Sequence, residues 1–231
     1  MEPIASCMRQ PGRIGLIIMV ATLALFLPAS ATAQWWGTRA SELERLAPLL
    51  NLGSGSVVAE IGAGDGAVAI AAAERVAPIG HVYATEIDPN RIREIQDRIS
   101  ASGLNDISVV QAAADNANLP RQCCDAIYMI GVYHHLTEPL KTDASIFEAL
   151  RPEGRLVIVD FRPSLLLKPW TPKGIPANRG GHGIPENILE DELKSSGFRI
   201  TQVYDHWGNS WFLSNYCVLA TKSSTHNSAT R

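Results

Sequence analysis

The segment that most constrains the fold is residues 57–66, which read Val-Val-Ala-Glu-Ile-Gly-Ala-Gly-Asp-Gly. It joins an apolar run to a glycine-rich loop, and an alanine-rich stretch of helical character follows at residues 68–76. Gly62, Gly64 and Gly66 lack a Cβ atom, so the backbone can turn tightly there and lie against a ligand. The sequence therefore predicts a strand, a ligand-binding turn and a helix in direct succession.

Two acidic residues flank this turn, Glu60 before the glycines and Asp65 among them. A phosphate site normally presents bare N–H groups and a helix N-terminus to its anion, and carboxylates would repel that charge. The loop is better matched to a nucleoside that carries positive charge, and S-adenosylmethionine fits this description. Because an unpaired charge is costly to bury in an apolar strand, Glu60 favours a functional role.

Strands and helices alternate along most of the chain. Predicted strands cover residues 57–61, 81–85, 107–110, 126–130, 156–159, 198–204 and 211–221. Predicted helices cover residues 41–50, 68–76, 88–103, 140–150 and 186–196. Alternation of this kind implies a parallel sheet covered on both faces, and the short turn between the last two strands makes them antiparallel. We predict an α/β fold with a doubly wound, mostly parallel seven-stranded Rossmann-like sheet and an antiparallel last strand.

Residues 1–33 have the parts of a signal peptide. Arg9 and Arg13 precede an apolar run at residues 14–27, and the small-residue site Ala-Thr-Ala follows at residues 31–33. The run is shorter than the roughly 20 residues that span a bilayer. We predict cleavage after this site and export to the periplasm or the medium. The alternative is an uncleaved membrane anchor, which would be the protein's only membrane contact.

The remaining chain divides into one domain, residues 34–222, and a polar tail, residues 223–231, which we expect to be disordered. A hydrophobic content of 46% is ample for one core. The formal net charge is −3 and no Lys/Arg-rich run occurs, so no nucleic-acid partner is predicted.

Five motifs occur in the order found in class I S-adenosylmethionine-dependent methyltransferases, and the chain resembles this family over about residues 40–221. The motifs are Glu60-Ile-Gly-Ala-Gly-Asp-Gly66, Val82-Tyr-Ala-Thr-Glu86, Asp115-Asn-Ala-Asn-Leu-Pro120, Asp125 with His134-His135-Leu136, and Leu150-Arg-Pro-Glu-Gly-Arg-Leu-Val-Ile-Val-Asp160. The resemblance implies S-adenosyl-L-methionine as the cofactor and transfer of its methyl group to a nucleophile as the reaction.

The resemblance also implies a set of cofactor-binding residues. They are Glu60, Gly62, Ala63, Gly64, Gly66, Glu86, Ile87 and Asp115. The glycines would let the backbone approach the methionine and ribose portions, and Glu60 would help hold the charged methionine end. Glu86 would accept from both ribose hydroxyls, since a carboxylate offers two acceptor oxygens to the two donors of a cis-diol. Asp115 would accept from the adenine amino group.

Candidate catalytic residues follow the predicted fourth strand, where open α/β sheets border their ligands. They are Tyr133, His134 and His135, and His182 in a glycine-rich loop could close from above. A base is needed only if the acceptor arrives protonated. Each of the four could instead cap, pack or hydrogen-bond its own loop. A metal site built from the three histidines is conceivable, but CxxC, HxH and HExxH spacings are absent, so no metal is predicted.

We expect a small-molecule or lipid-like acceptor, because residues 163–185 carry three leucines and a tryptophan, although those leucines could equally pack on the sheet. Two alternatives stay open. The chain could bind S-adenosylmethionine or another nucleoside without catalysis. It could also be an NAD(P)-dependent oxidoreductase, because residues 62–67 satisfy G-x-G-x-x-A and Glu86 follows at a suitable distance. Repulsion of a pyrophosphate by Glu60 and Asp65 makes the dinucleotide alternative the weaker one.

Overall fold

The computed structural model describes residues 41–164, 167–208 and 214–223. The predicted signal peptide, the tail beyond residue 223 and residues 211–213 of the predicted last strand lie outside these ranges. Within them, one sheet of seven strands forms in the order β3-β2-β1-β4-β5-β7-β6. The strands are β1 Val57–Ile61, β2 His81–Glu86, β3 Ile107–Gln111, β4 Cys124–Ile130, β5 Leu150–Phe161, β6 Phe198–Tyr204 and β7 Asn215–Lys222.

The strand directions confirm the predicted topology. β1 pairs in parallel with β2 and β4, β2 with β3, and β4 with β5. β7 runs antiparallel to both β5 and β6. The chain is therefore an α/β protein with a mostly parallel, Rossmann-like sheet and an antiparallel last strand, and its glycine-rich segment leaves a central strand.

Helices cover both faces of the sheet. They are α1 at residues 41–50, α2 Ala67–Val76, α3 Pro89–Ser102, α4 Pro139–Ala149 and α5 Glu186–Ser195. Successive strand residues point to opposite faces. Accordingly Tyr128 packs in the core beneath α1, α2 and α3, whereas its neighbours Ile127 and Met129 pack in the core beneath α4 and α5.

Local signals set the start of α3 as the sequence predicts. The Asp88 carboxylate accepts a hydrogen bond from the Asn90 backbone N–H at 2.8 Å, and Pro89 occupies the first helical position. Proline fits there because its missing N–H would have no partner inside the helix.

β5 begins earlier than predicted, at Leu150 rather than at residue 156. Leu150 pairs with Cys124, and the register then shifts before Ala126 pairs with Arg155. Pro152 lies inside this irregular stretch, where a proline without an N–H does not interrupt a regular ladder. The sequence Pro152-Glu153-Gly154 predicts a loop, because no local pattern indicates the irregular pairing with β4.

None of the helices in the described part of the chain is long and apolar enough to cross a membrane.

Candidate functional site

A cavity of about 420 Å³ opens at the carboxyl ends of the parallel strands. Its lining comes from the last residues of β1, β2 and β4, from the segments that follow β1 to β4, and from α4. These residues include Gly62, Gly64, Thr85, Glu86, Ile87, Arg91, Ala113, Asn116, Gly131, Val132, His135 and Leu136. Open α/β sheets bind ligands at this edge. The fold therefore brings the glycine loop, the end of β2 and one histidine to a single cavity.

The glycine loop has no room for a side chain at Gly62. Gly62 has φ +73°, and a Cβ built on it would lie 2.7 Å from Cγ2 of Val132. Gly66 has φ +78° and caps the N-terminus of α2. The backbone N–H of Ala63 donates to the carbonyl oxygen of Thr85 at 2.8 Å and fastens the loop to β2. Thr85 also lines the cavity, and its buried Oγ1 has no hydrogen-bond partner among the described residues.

Glu86 is fixed by backbone donors at the cavity edge. Its Oε2 accepts from the Gly64 N–H at 3.0 Å, and its Oε1 accepts from Ile87 at 2.8 Å and from Asp88 at 3.2 Å. A carboxylate offers about four acceptor positions, so three of them are used within the protein. A diol that needs two positions must displace one of these bonds, and the longest of them, from Asp88, is the weakest.

The two acids that flank the loop have protein partners. Glu60 is buried at 4% exposure and accepts a hydrogen bond from the Tyr128 hydroxyl at 3.3 Å. Burial and the neighbouring Glu60 carboxylate raise the pKa of that tyrosine well above its usual value. Asp65 accepts from the Ala67 N–H at 3.3 Å and forms an ion pair with Arg98 at 3.1 Å. Neither acid belongs to the described cavity lining.

Asp115 lies in an exposed turn, with Lys141 Nζ at 4.0 Å from its carboxylate. The flanking residues Ala113 and Asn116 form an isolated bridge and line the cavity, but Asp115 is outside the described lining. The sequence did not predict Asn116 as a site residue, although it is next to the predicted Asp115.

The three histidines converge from two segments. His134 and His135 lie in a 3-10 turn, Tyr133–His135, directly after β4, and His182 comes from the loop that follows β5. The ring centroids lie 4.0 Å apart for His134 and His135, 5.0 Å for His134 and His182, and 5.9 Å for His135 and His182. His135 lines the cavity and is exposed to it. Partial enclosure, with His134 and His182 beside it, lowers its pKa to about 4.

His134 is held by a carboxylate from the neighbouring strand. Its Nδ1 lies 2.8 Å from Oδ1 of Asp160, and its backbone N–H donates to Oδ2 at 3.0 Å. The Phe161 N–H also donates to Asp160, at 2.8 Å. The His134 ring is 2% exposed, and its Nε2 has no hydrogen-bond partner among the described residues.

Tyr133 is outside the described cavity lining and belongs to a second, buried group of side chains. Its hydroxyl donates to the Asp143 carboxylate at 2.7 Å, and burial is the main cause of its raised pKa. Its carbonyl oxygen accepts from Arg179 at 2.8 Å, and that fully buried guanidinium also pairs with Glu192 at 2.6 Å. This contact holds the loop after β5 against the turn after β4. The sequence alone did not single out Arg179, because nothing in the neighbouring residues distinguishes a buried arginine from an exposed one.

The chain is thus a Rossmann-like α/β protein with a cavity of about 420 Å³. The cavity lies where the chain crosses from one half of the sheet to the other, since β1 has β2 on one side and β4 on the other. Residues 59–158 match the family model described as a methyltransferase domain. The match spans 100 of the chain's 231 residues, and over this segment the chain is similar to methyltransferase domains.

Individual relatives and solved structures are similar to the chain as well. The ubiquinone/menaquinone biosynthesis C-methyltransferase UbiE of Bordetella parapertussis is 30% identical over 118 residues, which are 51% of this chain and 45% of that protein. The chain thus aligns with less than half of that relative. The crystal structure of a SAM-dependent methyltransferase from Aquifex aeolicus has a TM-score of 0.63 at 21% identity and covers 78% of this chain and 88% of that one. One from Mesorhizobium loti has a TM-score of 0.62 at 18% identity, with 78% and 97% covered.

Proposed function

We propose that this protein transfers a methyl group from S-adenosylmethionine to a small-molecule or lipid-like acceptor. The observation that carries the proposal is the Glu86 carboxylate, fixed at the cavity edge by the Gly64 N–H at 3.0 Å. The glycine loop and the ribose-binding acid that the family resemblance implies therefore meet at one cavity. The family match favours the methyl donor over the dinucleotide alternative.

The reaction asks little of the protein beyond alignment. Sulfonium is a good leaving group, so the site must chiefly hold the nucleophile, the methyl carbon and the sulfur in line. The cavity lies between the glycine loop and the segment that begins at Gly131, and both border it. His135 is the candidate catalytic histidine that lines this cavity, and its lowered pKa keeps the ring neutral near pH 7 but makes it a weak base.

An apolar acceptor suits the lining. Ile61, Ile130, Val132 and Leu136 all border the cavity. Relatives named as C-methyltransferases of ubiquinone/menaquinone biosynthesis support an acceptor of quinone type and transfer to carbon. Carbon transfer requires an activated ring position, which an adjacent ring hydroxyl supplies when a base takes its proton.

We further propose that the protein acts after export, with residues 1–33 removed. The basic start, apolar run and small-residue site support this location. Mass spectrometry of the N-terminal peptide from a periplasmic fraction tests it: a peptide that begins at Gln34 is expected, and one that begins at Met1 contradicts cleavage.

Isotope transfer tests the reaction. The full chain is incubated with methyl-labelled S-adenosylmethionine and a lipid extract, and the labelled products are identified by mass spectrometry. Label is expected in an apolar aromatic acceptor. Binding of the donor without label in any acceptor would instead support a non-catalytic nucleoside-binding protein.

A further inference from the structure

We propose that His134, His135 and His182 form a binding site for one divalent transition-metal ion of the zinc type, at the acceptor side of the cavity. One ring nitrogen from each of the three lies within 4.8 Å of the others. The metal site stands independently of methyl transfer, and only its use toward an acceptor rests on the proposed function.

The spacing is close to that of a bound ion. Zinc–nitrogen distances of about 2.0–2.1 Å place tetrahedral ligand nitrogens about 3.4 Å apart. Each ring must therefore move inward by less than about 1 Å from a triangle with 4.8 Å sides. His182 comes from a loop, between Gly181 and Gly183, and small loop adjustments supply this movement.

Second partners already orient two of the three rings. The Nδ1 atom of His134 meets Asp160 at 2.8 Å, and the Nδ1 atom of His182 meets the Trp170 carbonyl oxygen at 2.9 Å. An acceptor at Nδ1 fixes the proton there and leaves the Nε2 lone pair free. Metal-binding histidines almost always have this arrangement, with a carboxylate or backbone carbonyl on the other nitrogen.

The lack of a partner for His134 Nε2 in the described part of the chain is evidence for a bound ligand. The ring is 2% exposed, and its Nε2 has no hydrogen-bond partner among the described residues. Buried polar atoms in proteins nearly always have partners. An edge-to-face contact with Phe161, at a centroid distance of 4.6 Å, helps to place the ring but gives this nitrogen no hydrogen-bond partner. A cation shared with His135 and His182 does.

The donor set selects the class of ion. Three neutral imidazole nitrogens suit zinc, cobalt, nickel or iron, whereas magnesium and calcium prefer oxygen ligands. Three protein ligands also leave a coordination position open, as in catalytic zinc sites. Because His135 lines the cavity, an ion held by its ring would lie beside the space where an acceptor would sit. An acceptor oxygen bound there would lose its proton more readily.

Metal titration tests the site. The full chain, without a histidine tag and stripped with a chelator, is titrated calorimetrically with Zn²⁺ and examined with Co²⁺ for visible absorption bands. We expect one ion per chain and no competition from excess Mg²⁺. His182→Ala should lower zinc affinity at least tenfold, and Asp160→Asn should lower it about 10- to 100-fold through loss of ring orientation. The exposed His206, outside the cluster, provides the matched control His206→Ala, which should bind like the parent.

The outcomes are separable. Absence of stoichiometric zinc, or zinc binding that His182→Ala leaves unchanged, overturns the site. Thermal unfolding of the metal-free His182→Ala protein checks that the variant is folded, and His135→Ala gives a second test on the opposite side of the cluster. Titration of the same samples with S-adenosylmethionine distinguishes the two proposals: donor binding without zinc overturns the metal site alone, and zinc without donor binding overturns the proposed function alone.

Discussion

The Glu86 carboxylate accepts a hydrogen bond from the Gly64 backbone N–H at 3.0 Å, which joins the end of β2 to the loop that follows β1. These residues are 22 positions apart in sequence and border the same cavity. Two further backbone donors, Ile87 and Asp88, hold the same carboxylate. Glu86 thus shapes the glycine loop as well as offering an acceptor to a ligand.

Replacement of Glu86 tests its role toward the ribose. Glu86→Ala should weaken S-adenosylmethionine binding by about 1–3 kcal/mol, because the contact to the diol and the bond to the loop are both lost. That range corresponds to a five- to 150-fold rise in Kd, measured by calorimetry. Glu94, an exposed carboxylate on α3, provides the control Glu94→Ala, which should bind normally. Equal affinity in Glu86→Ala and the parent would show that the ribose assignment is incorrect.

Gly62 should not tolerate even one methyl group. In Gly62→Ala the new Cβ would lie 2.7 Å from Cγ2 of Val132, at a φ of +73°. We expect a loss of at least about 1 kcal/mol in the free energy of unfolding, measured by urea denaturation, and weaker donor binding. Gly53→Ala is the control, because its Cβ would meet no atom within 4 Å. Adding Val132→Ala should recover part of the loss in Gly62→Ala, and no recovery would argue against the clash.

Arg179 is expected to anchor the loop after β5. It is fully buried, donates to the Tyr133 carbonyl at 2.8 Å and pairs with Glu192 at 2.6 Å. Arg179→Ala leaves that carboxylate without its cation, so unfolding free energy should fall by about 3–5 kcal/mol. Arg199→Ala, which removes an exposed arginine, should cost less than about 0.5 kcal/mol. Hydrogen exchange should also speed up in residues 167–185, and unchanged exchange there would contradict the anchoring role.

Asp143 should make stability depend on pH. Burial raises its pKa from 3.8 to about 7 in the folded protein, although the Tyr133 hydroxyl and Arg179 oppose the shift. The folded protein thus holds this proton more tightly than the unfolded chain. The contribution of Asp143 to stability is complete below about pH 4 and is lost as the pH rises through about 7.

Asp143→Asn cannot titrate, so it isolates this contribution. The free energy of unfolding of the parent, relative to the variant, should decrease by up to about 4 kcal/mol between about pH 4 and pH 8. Burial also raises the pKa of Glu192, which is present in both proteins and largely cancels. A difference between the two proteins that stays constant across this range would contradict the raised pKa.

Much of the fold follows from local signals. The apolar run before the glycine loop predicts β1, and Asp88 with Pro89 predicts the start of α3, because caps and strand composition act over a few residues. The early start of β5 at Leu150 does not follow, since its pairing with Cys124 depends on a distant strand.

The site is harder to predict from the sequence than the fold, because its contacts join residues that are far apart in the chain. Glu60 stands out as a buried acid, but its donor Tyr128 is 68 residues away, and only the pairing of β1 with β4 brings them together. The histidine cluster has no spacing signature, because His182 joins His134 and His135 through the loop after β5. Contacts between residues that only the fold brings together leave no pattern in the sequence.

The most direct test of the central claim is a crystal structure of the protein with S-adenosylhomocysteine, the demethylated product. The account predicts both ribose hydroxyls within about 2.7–3.2 Å of the Glu86 carboxylate, and the amino-acid portion along the loop from Gly62 to Gly64. A ligand bound elsewhere, or a cavity without ligand at saturating concentration, would contradict it.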